Sequence, residues 1–494
     1  MPTLSKSRFL SGLQCEKKMY FEVSRKDLKP QIDASQQALF DLGHSIGQLA
    51  QQAFPGGLDA TTGMQGNWSL AIQRTKEWLQ SGQTTIYEAT FSQSGGFAAL
   101  DILHHRDGER WAIEVKTSTE VKEYHLQDAA FQYHVMCAAG FTPDKFFLMH
   151  INNRYQKKGP IDPADYFHLE DITLNVKELQ ETIHQKKASF LQLLETNIEP
   201  IRAIGPHCNQ PFACPFQHHC YAHLPENNVL ELLNARGKSW ELYQLGIWSL
   251  ADVPADFALT HRQQLQVSGK PFLDLDRLKQ FLEPIQAPLY FLDFETFFPA
   301  IPVLDGTRPF EQVPFQYSLH ITDLDGNLLE HRSFLANPAD FNDPDQPDPR
   351  MQLFTQLRQD LGSSGTIIAY NAGFEQSILK GLSAAFGEET FYFEGVRERF
   401  ADLLVPFRSG WYYLPEMGSS ASIKSVLPAI APTFSYENLR IADGGQASFV
   451  FHALVTHTYT DDLETVHQDL LDYCHRDTQG MLLIYQHLKA LTKR

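Results

Sequence analysis

A chain of 494 residues with 43% hydrophobic and 12% aromatic content exceeds the roughly 250–300 residues that one core supports, so two or three domains are expected. A net charge of −18 would suit a nucleic-acid enzyme poorly if evenly spread, but residues 1–222 carry 21 Lys and Arg against 24 Asp and Glu (net −3), and 286–494 carry 14 against 27 (net −13). No apolar signal core opens the sequence, no run approaches the ~20 apolar residues of a membrane span, and the few cysteines exclude a secreted disulfide scaffold, so the expectation is a soluble cytoplasmic protein.

In chain order, a first segment (1–222) opens on Cys15 in SRFLSGLQCEKKMYF. Around it Lys6, Arg8, Lys17, Lys18, Arg25, Lys26 and Lys29 form a basic run, either a phosphate contact or a solvated face. SQQALFDLGHSIGQLAQQAF has helical periodicity, whereas TTIYEATFSQ, GGFAALDILHHR and RWAIEVKTS alternate as strands do. HLQDAAFQYHVMCAAG then reads as helix and KFFLMHINN as strand, giving a mixed α/β core. The segment closes on GPHCNQPFACPFQHHC, where Cys208, Cys214 and Cys220 stand at two equal spacings. With Cys15 they supply four thiolates, enough for a [4Fe-4S] cluster if residues nearly two hundred positions apart meet. A closed zinc site and a metal-free set of buried cysteines are the alternatives.

Between these cysteines lies Asp101 on one expected strand and Glu114-Val-Lys116 on the next. Alternation sends Glu114 and Lys116 to one face, beside Asp101 if the strands pair through RDGER. Two carboxylates and the Val115 carbonyl suit Mg²⁺ or Mn²⁺, with Lys116 orienting or deprotonating an attacking water and Glu88 as a further ligand or water-orienting group. Enclosed by four cysteines, the motif resembles the RecB-type PD-(D/E)XK nucleases that carry a cysteine staple, over residues 5–222. The resemblance implies a role for Gln132 and Tyr133 on the helix after the motif, with Gln127 competing. It also implies an early-helix histidine ligand, for which His44 stands three residues before the aligned position, Gly47.

A middle segment (223–285) has short helices broken at LGI and at Val253-Pro254 and reads as a helical bridge, weakly similar to helix–hairpin–helix pieces that grip nucleic-acid backbone. The third segment (286–494) begins with the strand YFLDFET, whose end carries Asp293 and Glu295 on one face. Two such acids repel unless a cation or proton intervenes. GTIIAYN reads as strand and FEQSILKGLSAAF as helix, with Asn371 and Glu375 at their junction. LANPADFNDPDQPDPR is expected to be loop, and a final amphipathic helix carries Tyr473 and Asp477 one turn apart, with His467 and Asp472 as a competing pair.

The order Asp-X-Glu, Asn-X-X-X-acid, Tyr-X-X-X-Asp resembles the DEDD exonucleases of the DnaQ-like, RNase H fold. That resemblance implies two-metal phosphodiester hydrolysis, with Asp293, Glu295, Glu375 and Asp477 as ligands and Tyr473 positioning the water. Glu375 departs from the aspartate usual in that family, and Asp402 in FADLLVPF finds no role and is read as core or loop. The two resemblances together cover nearly the whole chain and are similar to an uncharacterised bacterial two-nuclease family. They imply a multidomain α/β protein, a PD-(D/E)XK core and an RNase H-like exonuclease domain joined by the helical bridge. The expected function is metal-dependent nuclease action on nucleic acid, DNA before RNA, from ends or single strands. A nucleic-acid-binding or scaffold protein with inactive sites and a zinc-stabilised hydrolase of small nucleotides are the rivals.

Overall fold

A computed structural model describes residues 2–31, 34–343, 345–387 and 390–493. The chain is a multidomain α/β protein that folds as two compact units, Met1–His223 with Ala300–Phe310, and Leu224–Pro299 with Glu311–Arg494. The segment expected as a bridge falls within the second unit. No helix among the described residues is long and apolar enough to cross a membrane.

The first unit is built on a seven-stranded sheet. Its main strands are β1 (Thr85–Gln93), β2 (Gly96–Arg106), β3 (Glu109–Lys116), β4 (Lys145–Ile151) and β5 (Phe167–Asp171), side by side in that order. The β1–β2–β3 meander is antiparallel, β4 is parallel to β3, and Leu58–Asp59 and Leu4–Ser5 add short parallel pairings. Helices α1 (Lys6–Gln14) and α2 (Glu16–Ser24) precede the sheet, α3 (Ala34–Gln52) covers one face, and α4 (Glu123–Ala138) and α5 (Gln180–Thr196) lie on the other. Apolar residues at helical spacing fix α1 in place. Fully buried Phe9 stacks on Phe131 of α4 at 4.5 Å between ring centroids and meets Phe190 of α5 at 5.6 Å. Burying such a ring contributes about 1.5–3 kcal/mol.

The regular alternation of the sheet breaks at one point. Leu100 and Leu103 pack in one core and Ile102 in the other, while across the pairing Ala89 and Ile86 share a core that excludes Tyr87. A strict two-residue period cannot give that pattern. The parity changes at Asp101 and at Glu88, which has φ +52°. The β2–β3 register also ends at Ile102 and Ile113, so Asp101 and Glu114 lie where the two strands part.

The second unit has a five-stranded sheet, made of β6 (Leu289–Phe297), β7 (Val313–Thr322), β8 (Leu328–Leu335), β9 (Thr366–Ala369) and β10 (Phe400–Asp402), in the order β8-β7-β6-β9-β10. β6, β7 and β8 are antiparallel, and β9 and β10 run parallel to β6. Every residue of β7 is buried, because helices cover both faces of the sheet. Helix α6 (Gly373–Ala385) follows β9, α7 (Gly444–Val455) packs on β6, and the 30-residue α8 (Leu463–Thr492) lies along β6 and β7. The middle segment has its own small core of Val229, Leu232, Leu242, Leu250 and Val253. It also contains a short strand, Phe272–Leu273, paired with Tyr412–Tyr413, which its sequence did not announce. Of the expected loop 335–350, Pro338–Phe341 forms a 3₁₀ turn and a helix begins at Pro349. Pro344 lies outside the described residues.

Candidate functional site

Three constellations arise from these elements, two in the first unit and one in the second. In the first, Asp101 takes over a bond that the parting strands leave open, as the Val115 N–H donates to its Oδ2 at 2.6 Å. Glu114 is buried, and its Oε1 receives both the Lys116 Nζ and the Lys6 Nζ at 2.8 Å. Its Oε2 is buried with no hydrogen-bond partner. Lys116 also donates to Asp128 of α4, and Gln132, one turn along, reaches Asp128 Oδ1 at 3.5 Å. The side-chain oxygen of Gln132 is buried without a partner as well.

Burial and crowding set the charges here. Burial, then the nearby Asp101 charge, pushes Glu88 up to about 8. Burial, then the Glu114 charge, pushes Asp101 up to about 7. For Glu114 burial acts upward, but Lys116 and Lys6 outweigh it and hold the carboxyl far below its usual range. For Lys116 burial acts downward and is outweighed by the charges of Asp128 and Glu114, so the ammonium is strongly retained.

Asp101, Glu114, Lys116, Glu88 and Gln132 therefore come together, and two further groups join them. Asp128 carries no motif signal, and Lys6, read as part of a basic run, is directed to Glu114. The rest of that run is partly spent within the unit, Lys17 on Glu199 at 2.7 Å and Arg25 on Asp27 at 2.8 Å. Tyr133 interacts instead with Cys137 within the core. Gln127 is half-buried and reaches Glu123 at 3.4 Å. His44 is exposed on α3 and hydrogen-bonded to Gln48 at 2.9 Å.

The four cysteines line a single cavity. Cys15 caps the start of α2, Cys208 ends a 3₁₀ turn, Cys214 precedes a short helix, and Cys220 is that helix's last residue. Gln14 ties the N-terminal helices to this loop by donating to the His207 and Phe212 carbonyls at 2.9 and 2.7 Å. The Cys214 N–H closes the loop on the Cys208 carbonyl at 2.8 Å. Burial pushes the Cys214 thiol up to about 11, against the nearby Lys18 charge.

The third constellation is the acidic centre of the second unit. Asp293 and Glu295 extend from β6, Glu375 from the first turn of α6, and Tyr473 and Asp477 from α8. Burial, then the charges of Asp477, Glu295 and Glu375, raises Asp293 well above the carboxylate range. Burial, then Asp477, does the same for Glu295. Burial pushes Glu375 up to about 8, and its Oε2 is buried without a partner. Asp477 is raised by burial even though the phenols of Tyr436 and Tyr473 both serve it, Tyr436 at 2.6 Å. Four acids gathered in this way, one with an oxygen left without a partner, form a set of oxygen donors suited to hard divalent cations.

Sequence reasoning missed several neighbours of this centre. Tyr436 and Lys424 come from stretches without a motif. The Lys424 Nζ lies 5.9 Å from the Tyr473 ring and acts electrostatically on Glu295 and Asp477. Cys474 Sγ stands 3.7 Å from Asp293 Oδ2, and Asp293, Glu295 and Cys474 offer ligand atoms within 4.8 Å of one another. Gly444 opens α7 against the centre, where a Cβ would stand 3.5 Å from Glu295 Oε2. Asp402 ends β10 and accepts the Asn371 and Leu404 amide protons at 2.9 and 3.0 Å. It thereby fixes Asn371, at φ +74°, in the turn that leads to Glu375. His467 and Asp472 lie on the solvent face of α8, leaving Tyr473 and Asp477 as the buried pair.

Residues 290–422 match the model of a family described as a domain of unknown function, DUF2779. That span holds Asp293, Glu295 and Glu375 and ends before Tyr473 and Asp477. The chain is similar to the uncharacterised protein UU173 of Ureaplasma parvum, 26% identical over 220 residues that make up 41% of this chain and 31% of that one. It is similar also to the uncharacterised MG366 homolog of Mycoplasma pneumoniae, 23% identical over 230 residues, 43% of this chain and 34% of that one. The chain thus spans about a third of the length of the curated relatives it matches. Among solved structures it is similar to the zinc-bound form of an E. coli ExoI–ssDNA complex, with a TM-score of 0.24, 16% identity and 42% of each chain covered. The crystal structure of SSO0001 gives a TM-score of 0.22 at 15% identity, covering 45% of this chain and 87% of that one.

Proposed function

We propose that the chain is a metal-dependent nuclease with two hydrolytic centres, one of the PD-(D/E)XK kind around Asp101, Glu114 and Lys116, and one of the DEDD kind around Asp293, Glu295, Glu375 and Asp477. The observation that carries the reading is the convergence of those last four carboxylates, all raised toward their neutral forms by burial, with Asp293 and Glu295 raised further by the charges of their acidic neighbours. Such a set is costly to keep in a fold unless cations relieve it. Mg²⁺ or Mn²⁺ at these oxygens would supply a polarised phosphate and a water of lowered pKa.

The protein groups divide the remaining work. Tyr473 and Tyr436 hold Asp477 in one orientation by donating to its carboxylate. Lys424 adds a positive charge where negative charge develops on the phosphate. In the first centre Lys116 stays protonated at neutral pH, which makes it a donor that orients water or phosphate rather than a general base. Gln132 contributes a free carbonyl oxygen to the same pocket. Nucleic acid is the substrate under this reading, DNA by the first resemblance with RNA open, attacked from ends or single strands.

A [4Fe-4S] cluster on Cys15, Cys208, Cys214 and Cys220 belongs to the same proposal. Four thiolates around one zinc at 2.3 Å would stand about 3.8 Å from each other. Among the described residues, the groups of ligand atoms that gather within 4.8 Å do not include these cysteines. The four thiols line one cavity, and a single closed zinc site on them is the alternative.

A second reading, in which the first centre only holds nucleic acid, draws on the pairing of Glu114 with two lysines. Digestion of end-labelled single- and double-stranded DNA and RNA with Mg²⁺ or Mn²⁺, by anaerobically purified wild type, Lys116→Ala and Asp293→Ala, separates the two. Cleavage lost in one variant identifies a working centre. Binding without cleavage by wild type overturns the nuclease proposal.

A further inference from the structure

A second group of candidate ligands in the second unit contains no carboxylate. His320 on β7 pairs across the strands with His331 on β8, and His475 of α8 lies against both. The ring centroids are 4.5 Å apart for His320 and His331, 4.7 Å for His320 and His475, and 4.4 Å for His331 and His475. One nitrogen from each ring lies within 4.8 Å of one from each of the others.

The closest pair is informative. His475 Nδ1 and His331 Nε2 stand 3.2 Å apart. Two imidazole nitrogens bound at 2.0–2.1 Å to one tetrahedral ion stand about 3.4 Å apart, so the pair needs little movement to share a metal. A hydrogen bond between two rings would explain that spacing alone; an ion accounts also for the third imidazole turned into the same cluster.

A hydroxyl group fixes the His320 ring from outside. His320 Nδ1 lies 2.8 Å from Thr478 Oγ1, which is itself 3.1 Å from the His475 carbonyl. A threonine that donates to that carbonyl accepts from the His320 Nδ1–H, and the lone pair of His320 is then on Nε2. Ser318 Oγ is 3.0 Å from His331 Nε2, the nitrogen that faces His475, and 2.8 Å from Thr478 Oγ1, so an ion bound at that nitrogen takes the place of the Ser318 contact. An outer hydrogen bond of the His320–Thr478 kind sets tautomer and orientation in metal-ligating histidines.

We propose that His320, His331 and His475 form a binding site for one Zn²⁺ ion, separate from the carboxylates, with a fourth position left to water. Three imidazoles suit zinc or another transition ion and not Mg²⁺, which takes oxygen ligands. The ion clips the last helix to β7 and β8. His475 lies between Tyr473 and Asp477 in sequence, and Ser318, which touches His331, pairs across the sheet with Asp293. Zinc at this point therefore fixes the register of the helix that brings Tyr473 and Asp477 to the strand bearing Asp293. This role is one of positioning and does not depend on the nuclease reading.

The test uses the full chain, stripped with a chelator and held in saturating Mg²⁺ to occupy carboxylate sites. Zinc uptake and thermal melting are compared for wild type, His331→Gln and His475→Gln. Wild type should take up one more equivalent of zinc than either variant, with at least 100-fold weaker binding of that equivalent in the variants, and zinc should raise the melting temperature of wild type alone. Because a variant can misfold, wild-type crystals soaked in zinc are also measured at the zinc absorption edge. An anomalous peak at about 2.1 Å from the three nitrogens supports the site. No peak there in soaked wild-type crystals, or equal zinc uptake by wild type and folded variants, overturns it.

Discussion

The Tyr436 phenol donates to Asp477 Oδ1 at 2.6 Å, joining a loop without a recognisable motif to the acid that the last helix brings to the centre. Tyr473 serves the same carboxylate, so Asp477 is held from two sides. Tyr436→Phe should leave the fold intact and lower Mg²⁺-dependent cleavage by about 10–100-fold, the usual cost of losing a group that orients a metal ligand. Initial rates against Mg²⁺ concentration check this, and an unchanged rate contradicts it.

Lys116 is kept protonated chiefly by Asp128 and Glu114. Lys116→Ala should lower cleavage by the first centre by about 10²–10³-fold and leave cleavage that depends on Asp293 in place. Asp128→Asn removes the largest upward influence on the ammonium. The alkaline change in the first centre's pH–rate profile should then move to lower pH, measured in an Asp293→Ala background.

The sign of the pH dependence of stability follows from Glu375. Below its ordinary value of 4.5 the carboxyl is protonated in folded and unfolded chains alike. Between 4.5 and about 8 the folded chain keeps a proton that the unfolded chain has released, so stability falls as pH rises through that window. Glu88, near 8, and Asp101, near 7, act in the same direction. In metal-free buffer the melting temperature should drop from pH 6.5 to pH 8, by about 2–4 °C for each kcal/mol lost, whereas below pH 6.5 the lowered imidazoles of His125, His320 and His331 act in the opposite direction. Mg²⁺ should restore it most at pH 8, and Glu375→Gln should flatten the metal-free slope.

Cys214→Ser should remove the absorbance at about 400 nm expected of an Fe–S cluster in anaerobically purified protein. A cross-link between residue 15 and residues 208–220 closes a loop of nearly two hundred residues, and its loss should cost about 5 kcal/mol by the chain-entropy estimate. Denaturant unfolding of wild type and variant measures the difference. Equal spectra for the two would remove the cluster from the account.

Much of this was legible because strands and helices impose periods. Two-residue alternation sets Glu114 and Lys116 on one side of β3, where they bond directly, and the i to i+4 spacing sets Tyr473 over Asp477. What escaped the sequence arrives from elsewhere in the chain by tertiary packing. Asp128 sits on a helix read for its glutamines, and Tyr436 and Lys424 lie in stretches with no period to read. Lys6 was hidden differently, because a lysine among lysines looks like surface until a buried carboxylate claims it. The break in alternation at Glu88 and Asp101 was also invisible, since a parity change shows only once both strands are paired.

The first unit is discontinuous in sequence, and that limits how the chain can be divided. Within it the Tyr166 phenol donates to the Ala300 carbonyl at 2.8 Å, and Lys157 meets Asp305 at 2.6 Å. A truncation that stops near residue 222 leaves Tyr166 without its buried acceptor and discards Ala300 and Ile301 from that unit's core. A single cut therefore cannot free either unit whole. Exchange of everything after residue 223 for an unrelated sequence would take Ala300–Phe310 from the first unit, so a swap of one half alters the core of the other.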